Sequence, residues 1–333
     1  MRILVTGGAG FLGARLAREI LRRGQLCGSD VRELVIADLF PAPADLQADP
    51  RVRSHAGPML EQGEMLCSGF DGVFHLASAV SGECELDFDL GLRSNLDSTR
   101  LLLDSIRRSG KASRFVFASS VAVFGPYAGQ PMPALVTDTT LPSPQTSYGT
   151  QKLMLEYLIA DHTRKGFIDG RSARLMTVTV RPGKPNGAAS SFFSGIIREP
   201  LAGEESVCPV DASVSHPVSS PGTTIRSLIA VFEASQATLG NRLALNLPGL
   251  NVTVQQMLDA LEQVAGRAVR SRVRFERDDR IAGIVSNWAR GASSERAAAL
   301  GLQADTSFED IVRQYIEDCR QQPGYPSHAL QGL

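Results

Sequence analysis

The octet Thr6-Gly7-Gly8-Ala9-Gly10-Phe11-Leu12-Gly13 constrains this chain more than any other stretch. It follows the apolar run Ile3-Leu4-Val5. It precedes residues 11–23, where Leu12, Leu16, Ile20 and Leu21 recur at helical spacing. Backbone N–H groups at a helix N-terminus reach a pyrophosphate only where side chains leave room. Gly7 suits the tight turn and Gly10 the close approach of phosphates. Phe11 and Leu12 open the helix, and Gly13 lets it pack on the strand. The competing reading is a plain strand–helix turn, and the strand–turn–helix context argues against it.

Asp38 closes a second apolar run, 33–38, at 25 positions beyond Gly13. A carboxylate there accepts hydrogen bonds from adenine ribose hydroxyls and repels a 2′-phosphate, which favours NAD over NADP. A solvated strand-end aspartate is the alternative. Further β-branched runs at 72–76, 114–118 and 175–180 alternate with helical patterns at 90–106 and 149–161. That alternation predicts an α/β protein with a doubly wound parallel Rossmann sheet over residues 1–181. After Arg181 the pattern turns rich in Pro, Gly and Ser. Residues 182–320 read as a smaller mixed α/β substrate domain, with segments near 224–250 returning to the sheet. Residues 321–333 read as a poorly ordered tail.

With 333 residues, 43% hydrophobic and 21% charged, the chain is ordinary globular material. Its 34 basic and 35 acidic residues leave a net charge of −1, which gives no electrostatic case for nucleic acid or an anionic membrane. No stretch approaches the roughly 18 consecutive apolar residues of a membrane span, and no signal-peptide pattern opens the chain. The five cysteines are scattered without a C-x-x-C pair, and the five histidines show no ligand spacing. Reduced thiols, a cytoplasmic location and the absence of a metal site are the expectations.

Tyr148 and Lys152 lie four residues apart at the start of a predicted helix, one turn apart on one face. A free phenol is a poor base at neutral pH, and a neighbouring ammonium favours the phenolate. The pair thus builds a proton acceptor for an alcohol. Upstream, Ser119 and Ser120 end a predicted strand, and a hydroxyl there can hold the reacting oxygen. Ser120 is preferred, with Ser119 left as the alternative.

Taken together, T-G-G-A-G-F-L-G at 6–13, Asp38, H-L-A-S at 75–78, Asn95, S-S-V-A-V-F-G at 119–125 and the Tyr148/Lys152 pair resemble the extended short-chain dehydrogenase/reductase superfamily. The resemblance implies a Rossmann domain holding NAD, with Tyr148 as proton acceptor or donor. It implies that Lys152 holds the nicotinamide ribose and lowers the Tyr148 pKa, and that Ser120 positions the substrate oxygen. Leu76, Ala77 and Ser78 would line the cofactor, and Asn95 would brace the central helix. Two departures stand out. Ala56-Gly57-Pro58-Met59 lacks the family's adenine-side Asp. Ser219-Ser220-Pro221-Gly222 replaces the Arg-Asp motif of sugar-nucleotide epimerases.

The stretches 181–192 and 195–204, with Ser81-Gly82-Glu83, 167–171 and Leu247-Pro248-Gly249, look like the D-erythronate dehydrogenase family. That likeness implies oxidation of a small sugar acid at C2. Lys184, Asn186 and Arg198 offer two cations and an amide to a substrate carboxylate, and Ser81 offers a hydroxyl. Each has a competing reading as a surface, inter-domain or loop residue. Two other functions stay open: a nucleotide-sugar epimerase or dehydratase with recycled NAD, and a non-catalytic NAD sensor. Helices 90–106 and 149–161 are the pair that similar proteins use to dimerise, so a homodimer is expected.

Overall fold

Short runs of Val, Ile, Leu and Phe make the central strands of one seven-stranded sheet in this computed structural model, which describes residues 1–183 and 188–333; Asp169–Leu175 and the edge strand Val52–Ala56 are mixed with polar residues. Across the sheet the order is Leu245–Asn246, Asp169–Leu175, Arg114–Ser120, Gly72–His75, Arg2–Thr6, Glu33–Asp38 and Val52–Ala56. The pairings from Arg114–Ser120 to Val52–Ala56 are all parallel. The central strands are covered on both faces, which is why they read as continuous apolar runs, while the edge strand Val52–Ala56 is exposed beyond Val52. The chain order reverses beside Arg2–Thr6, where doubly wound sheets open a crevice at the strand C-termini. The glycine loop, Asp38, Leu76 and Ser120 all sit at those ends.

The chain forms two units. The first comprises Met1–Ser120, Thr146–Arg174 and Ile225–Leu245. Its core joins Leu4, Val35 and Phe115 of the sheet to Leu102, Ile106, Leu155 and Ile159 of two helices. Ring stacking of Phe74 on Phe232 at 4.7 Å adds the returning segment. Gly72 is small because a Cβ there would meet the Phe232 ring at 2.4 Å. The predicted helix 90–106 is interrupted: Phe88–Gly91 leads into a π-helical turn, Leu92–Asp97, before Ser98–Ser109 continues as α-helix. Asn95 lies in that turn and is buried.

The second unit takes Val121–Gln145, Leu175–Thr224 and Asn246–Leu333. It has its own core, with Phe193, Ile196, Ile197, Leu258, Leu261 and Val312 among its buried members. The helix Val254–Ala265 starts on a reciprocal cap between Thr253 and Gln256. A helical turn, Arg267–Arg270, leads into the short strand Val273–Phe275. The tail is docked rather than loose. Ala329 is buried, Gly332 N donates to Leu201 O at 2.8 Å, and Arg272 Nη1 donates to Gly332 O at 3.1 Å. Gly203 and Gly332 pack backbone to backbone, which leaves no room for a Cβ on Gly332.

Candidate active site

The helix Phe11–Arg23 begins at Gly10 with no side-chain cap. Its first N–H groups therefore point outward as a ready anion site. Gly7 has φ +68°, and a Cβ on it would lie 2.7 Å from Ala77 N. A Cβ on Gly13 would lie 2.1 Å from Gly7 O, so the helix can approach the turn only without one. Asp38 is half-buried. Its Oδ2 accepts from Ala9 N at 3.0 Å and its Oδ1 from Phe40 N at 3.2 Å. The carboxylate is thereby fixed beside the loop, with acceptor capacity left for ribose hydroxyls.

A buried chain of hydrogen bonds ties this loop to the helix that carries Tyr148 and Lys152. Ala77 N donates to Thr6 Oγ1 at 3.3 Å, and Thr6 Oγ1 lies 2.6 Å from His75 Nδ1. His75 Nε2 lies 2.7 Å from Thr99 Oγ1, which donates to Asn95 O at 2.6 Å. Because the Thr99 proton is committed to Asn95, the His75 proton must sit on Nε2 and Nδ1 must accept. Burial pushes His75 down to about 3, so it stays neutral. Asn95 Oδ1 accepts from Ala79 N at 2.8 Å and Ser78 Oγ at 3.0 Å, and its Nδ2 donates to Gln151 Oε1 at 2.7 Å. Asn95 thus bridges the 76–79 segment and the helix that carries Tyr148.

That helix, Ser147–Arg164, is capped by Thr146, whose Oγ1 accepts from Gly149 N at 3.0 Å. Glu85 Oε1 accepts from Ser147 N at 2.6 Å. Lys152 is buried, its Nζ donating to Ala118 O at 2.8 Å and lying 5.4 Å from the centre of the Tyr148 ring. Burial pushes this ammonium down to about 7. Ala118 O is its one hydrogen-bond acceptor among the described residues, so two N–H donors remain for another ligand. A bare helix N-terminus, a loop closed to side chains, an anchored Asp38 and an under-coordinated Lys152 together fit NAD.

Ser119 and Ser120 point to opposite faces, as neighbours on a strand must. Ser119 is buried, donating to Glu156 Oε1 at 2.5 Å. Ser120 is half-buried at the strand end with Tyr148 in the same unit. Leu76, Ala77 and Ser78 follow His75 and are half-buried, as is Ser81, which opens the helix Ser81–Leu86. Lys184 and Asn186 lie outside the described residues. Arg198 is turned inward: Nη1 donates to Arg181 O at 2.9 Å and Nη2 to Glu199 Oε1 at 2.5 Å. At 8% side-chain exposure its charge is already offset by Glu199. The epimerase Arg-Asp position holds no cation. Instead Ser220 N and Oγ and Thr223 Oγ1 donate to Asp305, while Gly222 N donates to Gln314 Oε1.

Two sets of partners were not singled out from sequence. One is the Thr6–His75–Thr99 chain. The other is Glu156 with Arg174, whose Nε and Nη2 reach the Glu156 carboxylate at 2.9 and 2.7 Å. The only sequence signal for Glu156 is its place one turn beyond Lys152 on the same helix face.

The fold and this site are those of a dinucleotide-binding α/β protein. The model of the NAD dependent epimerase/dehydratase family matches residues 3–239, and the chain belongs to that family. Among curated relatives, a D-erythronate dehydrogenase of Cupriavidus necator is 47% identical over 325 residues, 96% of this chain and 98% of that protein. A D-erythronate dehydrogenase of Haemophilus influenzae is 41% identical over 320 residues, 95% of this chain and 99% of the other. Among solved structures, a nucleoside-diphosphate-sugar epimerase from Agrobacterium tumefaciens superposes with a TM-score of 0.87 at 41% identity, covering 96% of this chain and 94% of that one. L-Threonine 3-dehydrogenase from Trypanosoma brucei shares the fold, with a TM-score of 0.81 at 23% identity over 98% of this chain and 99% of that one.

Proposed function

We propose that this protein is an NAD-dependent dehydrogenase that oxidises a short sugar acid, D-erythronate first among them, at C2 to 2-dehydro-D-erythronate with formation of NADH. The observation that carries this reading is near-full-length similarity to two D-erythronate dehydrogenases. When bound, NAD supplies the acceptor for the hydride that leaves C2. Ser120 holds the C2 oxygen, and Tyr148 Oη takes its proton. The Lys152 ammonium one turn away favours the phenolate and holds the nicotinamide ribose. No metal has a part in this scheme, and none of the described residues form a metal-ligating cluster.

The substrate carboxylate is assigned to Lys184 and its hydroxyls to Asn186 and Ser81. Arg198, already paired with Glu199, supports the 181 backbone instead. A short acid has little apolar surface, so a few polar contacts carry its binding. Lys184→Met raises KM for the acid by roughly tenfold or more, because an unpaired buried charge costs more than about 1.4 kcal/mol. The KM for NAD changes much less. Steady-state kinetics at varied acid and varied NAD separate the two, and equal effects on both would remove Lys184 from the substrate.

Asp38 enforces NAD. The expected result is a clear preference over NADP in kcat/KM, relaxed in Asp38→Ser, where the repulsion of a 2′-phosphate is gone. Equal use of NADP by the native protein would take Asp38 off the ribose.

Likeness to the Agrobacterium nucleoside-diphosphate-sugar epimerase favours a second reading, an epimerase that recycles its NAD. Ser219–Gly222, engaged by Asp305 and Gln314, offers no cation for a substrate pyrophosphate. A screen of four- and five-carbon aldonates by NADH absorbance decides. Turnover of UDP-sugars without net NADH, together with no response to any aldonate, would overturn the dehydrogenase.

The working form is proposed to be a cytoplasmic homodimer. Leu86, Phe88, Met154 and Tyr157 are exposed at or near the Phe88–Gly91 and Ser147–Arg164 helices, an apolar surface suited to a second copy. No helix among the described residues is long and apolar enough to cross a membrane, and five free cysteines suit a reducing compartment. Sedimentation at micromolar concentration gives twice the 35.7 kDa chain mass if the surface pairs as expected.

A further inference from the structure

We infer that Glu156 is a positioning residue of this reaction: it holds the serine end of the Arg114–Ser120 strand against the catalytic helix and keeps the Lys152 ammonium protonated. The inference rests on the Tyr148–Lys152 chemistry proposed above. Tyr148, Lys152 and Glu156 follow one another at four-residue intervals on one helix, so they share a face. Lys152 and Glu156 are both buried, at 2% and 4% exposure. One carboxylate oxygen of Glu156 accepts from Ser119 Oγ and from Arg174 Nε, and the other accepts from Arg174 Nη2. Ser119 lies between Ala118, whose carbonyl anchors Lys152, and Ser120. A shift of Glu156 therefore moves the Lys152 anchor and the Ser120 hydroxyl together.

The electrostatic half follows from what surrounds Lys152. On its own helix are Tyr148 and Glu156. Across the packed strands are neutral His75 and, beyond Glu156, Arg174. Arg114 lies at the far end of its strand. From the Ser81–Leu86 helix comes Cys84, whose thiol burial pushes upward, so it is uncharged where Lys152 titrates. Glu83 and Glu85 on that helix are exposed, as are Asp89 and Arg93 on the segments that follow, and Asp97 is half-exposed. Glu156 is then the buried anion that acts on Lys152 among the described residues, and it opposes the desolvation that favours the free amine.

The test is the pH profile of kcat/KM for aldonate oxidation by the full chain. Its acid limb reports Tyr148 gaining a proton, and its alkaline limb reports Lys152 losing one. Glu156→Gln keeps the shape and removes the charge. The alkaline limb moves down by about one pH unit or more, since a buried charge one helical turn away is weakly screened. Glu156→Asp restores the limb while kcat stays low, because the shorter side chain no longer reaches Ser119. Ser119→Ala lowers kcat, leaves KM for NAD in place and leaves the limb unmoved. Should Glu156→Gln not fold, Glu156→Gln/Arg174→Met buries no unpaired charge and moves the limb the same way. A limb unchanged in either Gln variant overturns the inference. Tyr148→Phe separates this failure from that of the underlying reading. If it too stays active the chemistry is wrong, and if it is dead while the Gln limb is unmoved, only the role of Glu156 falls.

Discussion

Tyr148→Phe lowers turnover by about 10²–10⁴, the usual worth of a positioned acid–base group, and leaves NAD binding nearly intact. The ring stays, so its contact with the Lys152 ammonium, 5.4 Å from the ring centre, stays as well. The helix start is held by Thr146 and Glu85, whose contacts the substitution leaves in place. What is lost is the acceptor of the hydroxyl proton. Stopped-flow NADH formation at saturating acid, with NAD affinity measured separately by calorimetry, gives the two quantities. Turnover within about tenfold of the native protein removes Tyr148 from the mechanism.

Arg174→Met is expected to be the most damaging substitution for stability. Arg174 and Glu156 form a two-pronged ion pair, 6% and 4% exposed at the side chains. Met fills much of the same space, so packing changes little. The Glu156 carboxylate is left in the interior with Ser119 Oγ as its remaining donor. Breaking a buried pair from one side costs about 3–5 kcal/mol, because the surviving charge stays desolvated. Guanidinium unfolding followed by circular dichroism measures the loss. A change below about 1 kcal/mol would mean that water reaches Glu156 and that the pair behaves like a surface one.

Local spacing already points to much of the candidate site. The glycine loop works through backbone geometry within eight consecutive residues, and Gly7 and Gly13 stand where a Cβ would strike backbone. Tyr148 and Lys152 are one helical turn apart, a distance that the helix itself imposes. Asp169–Leu175 and Val52–Ala56 are too polar to show as apolar runs, and the run 175–180 gives Thr177–Val178 to a different sheet. Arg2–Thr6, Glu33–Asp38, Gly72–His75 and Arg114–Ser120, by contrast, were legible because both their faces are covered. These features depend on short-range rules, so the order of residues was enough to find them.

Other assignments depended on residues far apart in the chain. Sequence prefers Ser120 and leaves Ser119 as the alternative. The strand's alternation turns one toward Glu156 and Arg174, and only the packed sheet shows that it is Ser119. Arg198 looked like a substrate anchor because it is a cation in the right stretch, yet Glu199 and Arg181 O engage it inside its own unit. The tail looked loose by composition, but Gly203, Leu201 and Arg272 give its backbone partners. His75 reads as one more apolar-run residue until Thr6 and Thr99 meet its two nitrogens. Residue order was sufficient for the Rossmann class and for placing the glycine loop and the Tyr148–Lys152 pair, all set by spacings of one turn or one strand. Packing in three dimensions was needed to show which serine meets Glu156, where each buried charge finds its partner and how the loop is wired to the helix that carries Tyr148. Those choices are made by long-range burial, which leaves a polar group no stable place except beside a partner brought in from elsewhere in the chain.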